Sequence, residues 1–125
     1  MNQKSILILA AISGALAVGI GAFGAHGLKV VLASNGRTDV FETAVRYHFY
    51  HTFSLLVTGI LISQFPGLRI SAWFFLAGIV VFSGSLYVLA LTNQPKWGAV
   101  APVGGLAFII GWLTFAWTIF REKII

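Results

Sequence analysis

Four long apolar stretches, set apart by short polar breaks, organise the chain. Ile6 to Leu28 carries no charge and is rich in Gly and Ala. A bilayer core about 30 Å thick needs about 20 such residues in a helix. The stretch predicts a first span over 6–28. Lys4, the apolar run and the Ala15-Leu16-Ala17 triplet also mimic a secretory leader with its cleavage site. The run continues unbroken to Leu28, which favours a retained helix.

Ser34-Asn35-Gly36 reads as a loop. Thr38 suits a helix N-cap, and Asp39 and Glu42 suit the first turn, where the helix dipole favours acids. A second helix is predicted over 39–64, roughly 39 Å long at 1.5 Å per residue. Its first third is polar and aromatic, and Phe53 to Ile62 is mostly apolar. Phe65-Pro66-Gly67 stops it. A third span is predicted over 71–91, with Trp73 at headgroup level. After the polar loop Thr92-Asn93-Gln94-Pro95-Lys96, a fourth span covers 98–120, bracketed by Trp97 and Trp117. Pro102 falls in its first turns, where a missing N–H costs least. The expected fold is an all-α, four-helix transmembrane bundle forming one domain over 1–125, with both termini on the same side.

Composition supports this class. Of 125 residues, 58% are apolar and 9% charged, against about 25% charged in soluble domains. So few charges cannot coat a soluble monomer, and disorder would need low hydrophobicity. The net charge of +5 does not point to nucleic acid, because the basic residues flank the spans and form no face. Lys4, Arg69, Arg121 and Lys123 fall on the terminal side; Lys29, Arg37, Arg46 and Lys96 fall on the other. The positive-inside count is tied. It leans to cytoplasmic termini only if Arg46 belongs to the helix and not the loop. Cysteine is absent, so no thiolate or iron–sulfur site exists.

Helices in lipid associate through small residues. Ala17-x-x-x-Gly21-x-x-x-Ala25 on helix 1 has that pattern. Gly78, Gly84 and Ser85 offer it on helix 3, and Gly98, Gly104, Gly105 and Gly111 on helix 4. Such faces close the bundle or pair subunits in a homo-oligomer.

Polar groups at membrane depth are functional candidates. His26 lies near the end of helix 1. Glu42, Arg46 and Tyr50 follow at four-residue steps on helix 2, with Glu42 and Arg46 in the favoured ion-pair direction. His48 and His51 lie on a neighbouring face, and Tyr47 is four residues before His51. Four readings stay open. The cluster fixes the hairpin structurally; or Arg46 and the histidines bind a lipid headgroup or a small amphiphile. Alternatively, His26, His48 and His51 ligate haem or a metal; or the histidines move protons or solutes in a pore or carrier. No hydrolase constellation is visible. Gly21-x-x-Gly24-x-x-Gly27 lacks the strand and Lys-Ser/Thr of a phosphate loop.

Gly21-Ala22-Phe23-Gly24-Ala25-His26-Gly27-Leu28 resembles the signature of the YgdD/YwdK-type family of small four-span membrane proteins, a domain of unknown function. Further matching stretches are Phe41-x-x-Ala44-x-x-Tyr47-x-x-x-His51, Phe82-Ser83-Gly84-Ser85-Leu86-Tyr87, and Ala101-Pro102-Val103-Gly104-Gly105 with Gly111-Trp112. They occur in family order over nearly the whole chain. The resemblance implies a multi-pass protein of the bacterial inner membrane with no established activity. It carries over His26, Tyr47, His51, Ser85, Pro102, Gly104 and Gly105. His48 stands where relatives more often have glutamine, which weakens a three-histidine metal site.

The favoured expectation is a non-enzymatic protein that binds a lipid, a lipid-like molecule or a membrane partner. His26, Tyr47, His51, Arg46, Glu42 and Ser85 are the candidate site. No cofactor and no metal are expected.

Overall fold

A computed structural model describes residues 1–123. The described chain is entirely helical between its loops: α1 (Gln3–His26), α2 (Lys29–Asn35), α3 (Thr38–Leu61), α4 (Leu68–Gly78), a π-helical turn (Ile79–Ser83), α5 (Gly84–Thr92) and α6 (Lys96–Arg121). Leu68 to Thr92 forms one continuous rod. Three helices are long and apolar enough to cross a membrane: Gln3–His26, Leu68–Thr92 and Lys96–Arg121.

The ends differ from expectation in several places, each for a local reason. α1 starts three residues earlier than predicted because Asn2 caps it, its Oδ1 accepting from Ser5 N and Ser5 Oγ at 2.8 Å. The predicted loop before the second helix contains α2, a short helix ended by Gly36 in the left-handed region (φ +65°). Only glycine takes that conformation at no steric cost. Thr38 is not the cap of α3. It is the first helical residue, and Arg37 precedes it without a side-chain cap bond. α3 also stops at Leu61, before the predicted Gln64.

α1 rests chiefly on α3, and α6 chiefly on α4. The α1–α3 pair is antiparallel. Gly24 faces the Phe41 ring, Gly21 faces Val45, Gly14 faces Thr52, and Gly59 faces Ile6 and Leu7. The buried seam of α1 is Ile6, Ala10, Ser13, Ala17 and Gly24. It is therefore rotated from the expected stripe. Ala17 is buried, Gly21 is half-buried and Ala25 is exposed. Steps of four drift around a helix of 3.6 residues per turn, whereas alternating three and four stay on one line.

The α4–α6 pair is a zipper of rings in glycine notches. Phe75 fills the notch at Gly111, Phe108 the notch at Gly78, and the Phe82 backbone the notch at Gly104. Gly105 is not part of this contact. A Cβ there would lie 3.8 Å from the Phe82 ring, at ordinary van der Waals distance. The π turn widens the rod where α6 approaches. It also rotates the side chains beyond it by about 100° relative to an unbroken α-helix. Ser83 Oγ donates to Ala44 O of α3 at 2.8 Å, which holds the rod against α3.

Two clasps tie the ends. Asn35 Nδ2 donates to Ala90 O and Arg37 Nε donates to Asn93 Oδ1, both at 2.9 Å. At the opposite end, Glu122 Oε1 accepts from Gly67 N at 2.9 Å. One such bond contributes about 1 kcal/mol. Glu122→Ala is expected to speed hydrogen exchange at the Gly67 amide about fivefold and leave α1 and α3 unchanged. Equal exchange in both proteins would show that the clasp holds nothing.

Candidate functional site

The predicted cluster does not come together: its neighbourhood divides into three separate places, and His26 and Ser85 belong to none of them. His26 is exposed at the C-terminal end of α1. His51 is only 4% exposed. The α1–α3 register pairs Gly24 with Phe41 and Gly14 with Thr52, so the two histidines differ by about eleven residues in level. That is roughly 17 Å along the bundle at 1.5 Å per residue. Ser85 joins neither, because its Oγ donates to Phe82 O in its own rod at 3.0 Å.

His51 anchors the first place, a packed aromatic cluster between α3 and α6. Its ring stacks on Phe108 with centroids 3.5 Å apart and planes 10° from parallel. Trp112 Nε1 donates to His51 Nε2 at 3.1 Å. Indole N–H is a donor only, so Nε2 must be the bare acceptor. The ring proton therefore sits on Nδ1, where it donates to Tyr47 O at 2.8 Å. Both nitrogens are spent on structure. Tyr47 closes the cluster against Phe82 at 4.9 Å between centroids and is 40% exposed.

His48 centres the second place, a chain of hydroxyls and imidazole held between α1, α3 and α5, with Tyr87 half-buried at its outer end. Tyr87 OH lies 2.9 Å from His48 Nδ1, and Ser13 Oγ lies 3.0 Å from Nε2. Ser13 Oγ in turn lies 2.6 Å from Thr52 Oγ1. Sequence reasoning set His48 aside and missed Ser13, Thr52, Tyr87 and Trp112. Tyr87 and Trp112 stood in quoted family stretches, which was a usable signal. Ser13 gave none: one serine in an Ala- and Gly-rich helix reads as a packing residue. The Ser13–His48 contact has the spacing of a nucleophile and base, but both residues are sealed, at 6% and 4% exposure.

The third place is a groove of about 540 Å³ between the end of α1, α2 and the start of α3. Lys29, Glu42 and Arg46 stand along it, over walls that include Leu32, Phe41 and Val45. The predicted Glu42–Arg46 ion pair does not form: among the described residues no contact within 4.0 Å joins them. Both side chains are exposed and line the groove instead of closing on each other. The three histidines do not converge, and among the described residues no group of three His, Cys, Asp or Glu is placed to hold a metal.

A helical chain with three apolar rods of spanning length, and with serines, threonines and two histidines between them buried, is a membrane protein. The family model described as "Protein of unknown function (DUF423)" matches residues 20–105, and the chain belongs to that family. It is 45% identical to the UPF0382 membrane protein YwdK of Bacillus subtilis, over 89% of this chain and 92% of the relative. It is 48% identical to a UPF0382 membrane protein of Staphylococcus epidermidis, over 89% and 91% of the two chains. It is 42% identical to the UPF0382 inner membrane protein YgdD of Escherichia coli, over 90% and 86%. No solved structure matches.

Proposed function

We propose that the protein is a four-span, non-enzymatic protein of the inner membrane that binds a lipid with an anionic headgroup in the groove beside Lys29 and Arg46. The observation that carries this reading is the groove itself: apolar walls at the ends of α1 and α3, with two cations along it. One end of such a site suits acyl chains, and the charged edge suits a phosphate. Glu42 offsets one of the two charges, leaving a net attraction for an anion. The candidate cluster thereby contracts to Arg46 and Glu42 together with Lys29. His51 and Tyr47 support the α3 wall from the far side.

The fourth crossing is α3. Its mean hydropathy is lowered by His48, His51, Thr52, Ser54 and Thr58, all of which are buried. Its exposed residues include Phe53, Leu56, Val57 and Ile60. Lipid meets only the outward residues, so this helix presents an apolar surface despite its polar content. Four crossings leave both termini on one side.

Native mass spectrometry of the protein with added phosphatidylglycerol or phosphatidylcholine tests the groove. Phosphatidylglycerol should be retained in preference to phosphatidylcholine. Lys29→Gln and Arg46→Gln should each weaken that retention about fivefold, since one basic residue near an anionic surface contributes about 1 kcal/mol. Equal retention of the two lipids, or no effect of either substitution, would reject the proposal.

A further inference from the structure

His48 and His51 are both buried on α3, yet the chemistry of their partners differs. His51 lies between a donor-only indole and an acceptor-only carbonyl. A second proton on its Nε2 would set N–H against N–H. His48 lies between two hydroxyls, Tyr87 on Nδ1 and Ser13 on Nε2, and each hydroxyl can donate or accept. Either nitrogen of His48 can therefore carry the proton, and both can carry one, with every hydrogen bond kept.

We propose that His48 is a proton-exchange site inside the bundle, reached from outside through the Tyr87 hydroxyl. In the starting arrangement Tyr87 O–H donates to Nδ1, Nε2–H donates to Ser13 Oγ, and Ser13 O–H donates to Thr52 Oγ1. An incoming proton from water bonds to Tyr87 O as the original Tyr87 proton passes to Nδ1. Tyr87 is again neutral and now accepts from Nδ1–H. His48 holds the added positive charge and still donates to Ser13. The reverse step, in which the Nδ1 proton passes back to Tyr87 O as the outer Tyr87 proton returns to water, restores the starting arrangement, while Nε2–H keeps its bond to Ser13 Oγ throughout.

The surroundings define the direction of access. Tyr87 is half-buried, and its ring packs on Phe41 at 5.4 Å between centroids. Phe41 also lines the groove, so the outer end of the relay stands behind one wall of that recess. The inner end is dry: one turn beyond Thr52 stands Leu55, packed in an apolar cluster with Ala10 and Ile6. The chain thus has an entrance and no exit, and a proton leaves by the side from which it came.

The groups that face His48 are few. α1 brings Ser13, and α5 brings Tyr87. On α3 itself, Tyr47 and His51 turn toward α6, while Glu42 and Arg46 are exposed along the groove. The π turn brings Ser83, whose hydroxyl is committed to Ala44 O. Among the described residues no carboxylate, ammonium or guanidinium bonds to a member of the relay. The exchange therefore depends on hydroxyl partners alone, and it does not rest on lipid occupying the groove.

Nitrogen NMR of ¹⁵N-histidine-labelled protein in lipid nanodiscs, between about pH 5 and pH 8, tests the site. His51 is the internal standard and should remain a single Nδ1–H tautomer throughout. His48 should show averaged nitrogen signals and solvent exchange of its ring protons. Tyr87→Phe should slow that exchange about tenfold, a loss of about 1.4 kcal/mol of barrier lowering. Ser13→Ala, which leaves the entrance intact, should retain it. This second variant keeps the test open if Tyr87→Phe fails to fold. A His48 ring as slow as His51, or an exchange rate lost in Ser13→Ala, would overturn the proposal. Proton flux through protein-loaded liposomes above that of empty ones would overturn the one-sided access.

Discussion

Gly104→Ala should unfold the protein more readily than any other exchange of glycine for alanine in α6. The added methyl would meet the backbone nitrogen and Cα of Phe82. Backbone cannot step aside by a rotamer change, so the two helices must separate locally. Such overpacking costs about 3 kcal/mol. The neighbouring Gly105→Ala is the control, because its methyl reaches only ordinary contact distance from the Phe82 ring. It should change stability by about 0.5 kcal/mol or less. Unfolding by increasing SDS in mixed micelles, followed by circular dichroism, measures both. Equal losses at the two positions would mean that α6 and the π turn do not approach as closely as described.

His51→Ala should cost a similar amount, about 3 kcal/mol, for a different reason. It removes a ring stacked on Phe108, opens a cavity, and leaves the Trp112 N–H without its acceptor. His26→Ala should be near neutral, within about 0.5 kcal/mol, because that side chain is exposed at the end of α1. The pair of variants separates two roles for the histidines. If His51 acted by holding a ligand, its loss would abolish binding and leave apo-protein stability intact. If it acts by packing, stability falls whether or not lipid is present.

Much of the architecture was legible in hydropathy and punctuation. The apolar runs over 6–28, 71–91 and 98–120 gave rods within a few residues of their ends, because lipid-length helices need long uncharged stretches and little else. Lys and Arg at the breaks, and Trp97 and Trp117 near the rod ends, agree with that reading. Small residues signalled close helix contacts. They did not say which glycine makes them: Gly104 and Gly105 are adjacent in the chain, and only one faces Phe82.

The candidate site was only partly legible, and the reason is register. His26, Tyr47, His51 and Ser85 share a family pattern, but pattern carries no information about level along a bundle. Antiparallel packing of α1 on α3 sets His26 opposite the start of α3 and Ser13 opposite His48 and Thr52. The π turn rotates α5 so that Tyr87 reaches His48. Glu42 and Arg46 had the spacing of an ion pair, yet the groove between α1, α2 and α3 gives each side chain room to stand apart. Sequence established the helical membrane class, the polar and aromatic first third of the second long helix and the residue types available for chemistry, since these depend on local composition and period. Which of those residues touch was decided by helix register, rotation and the close approach of backbones at glycine, which are properties of the packed molecule and of no segment alone.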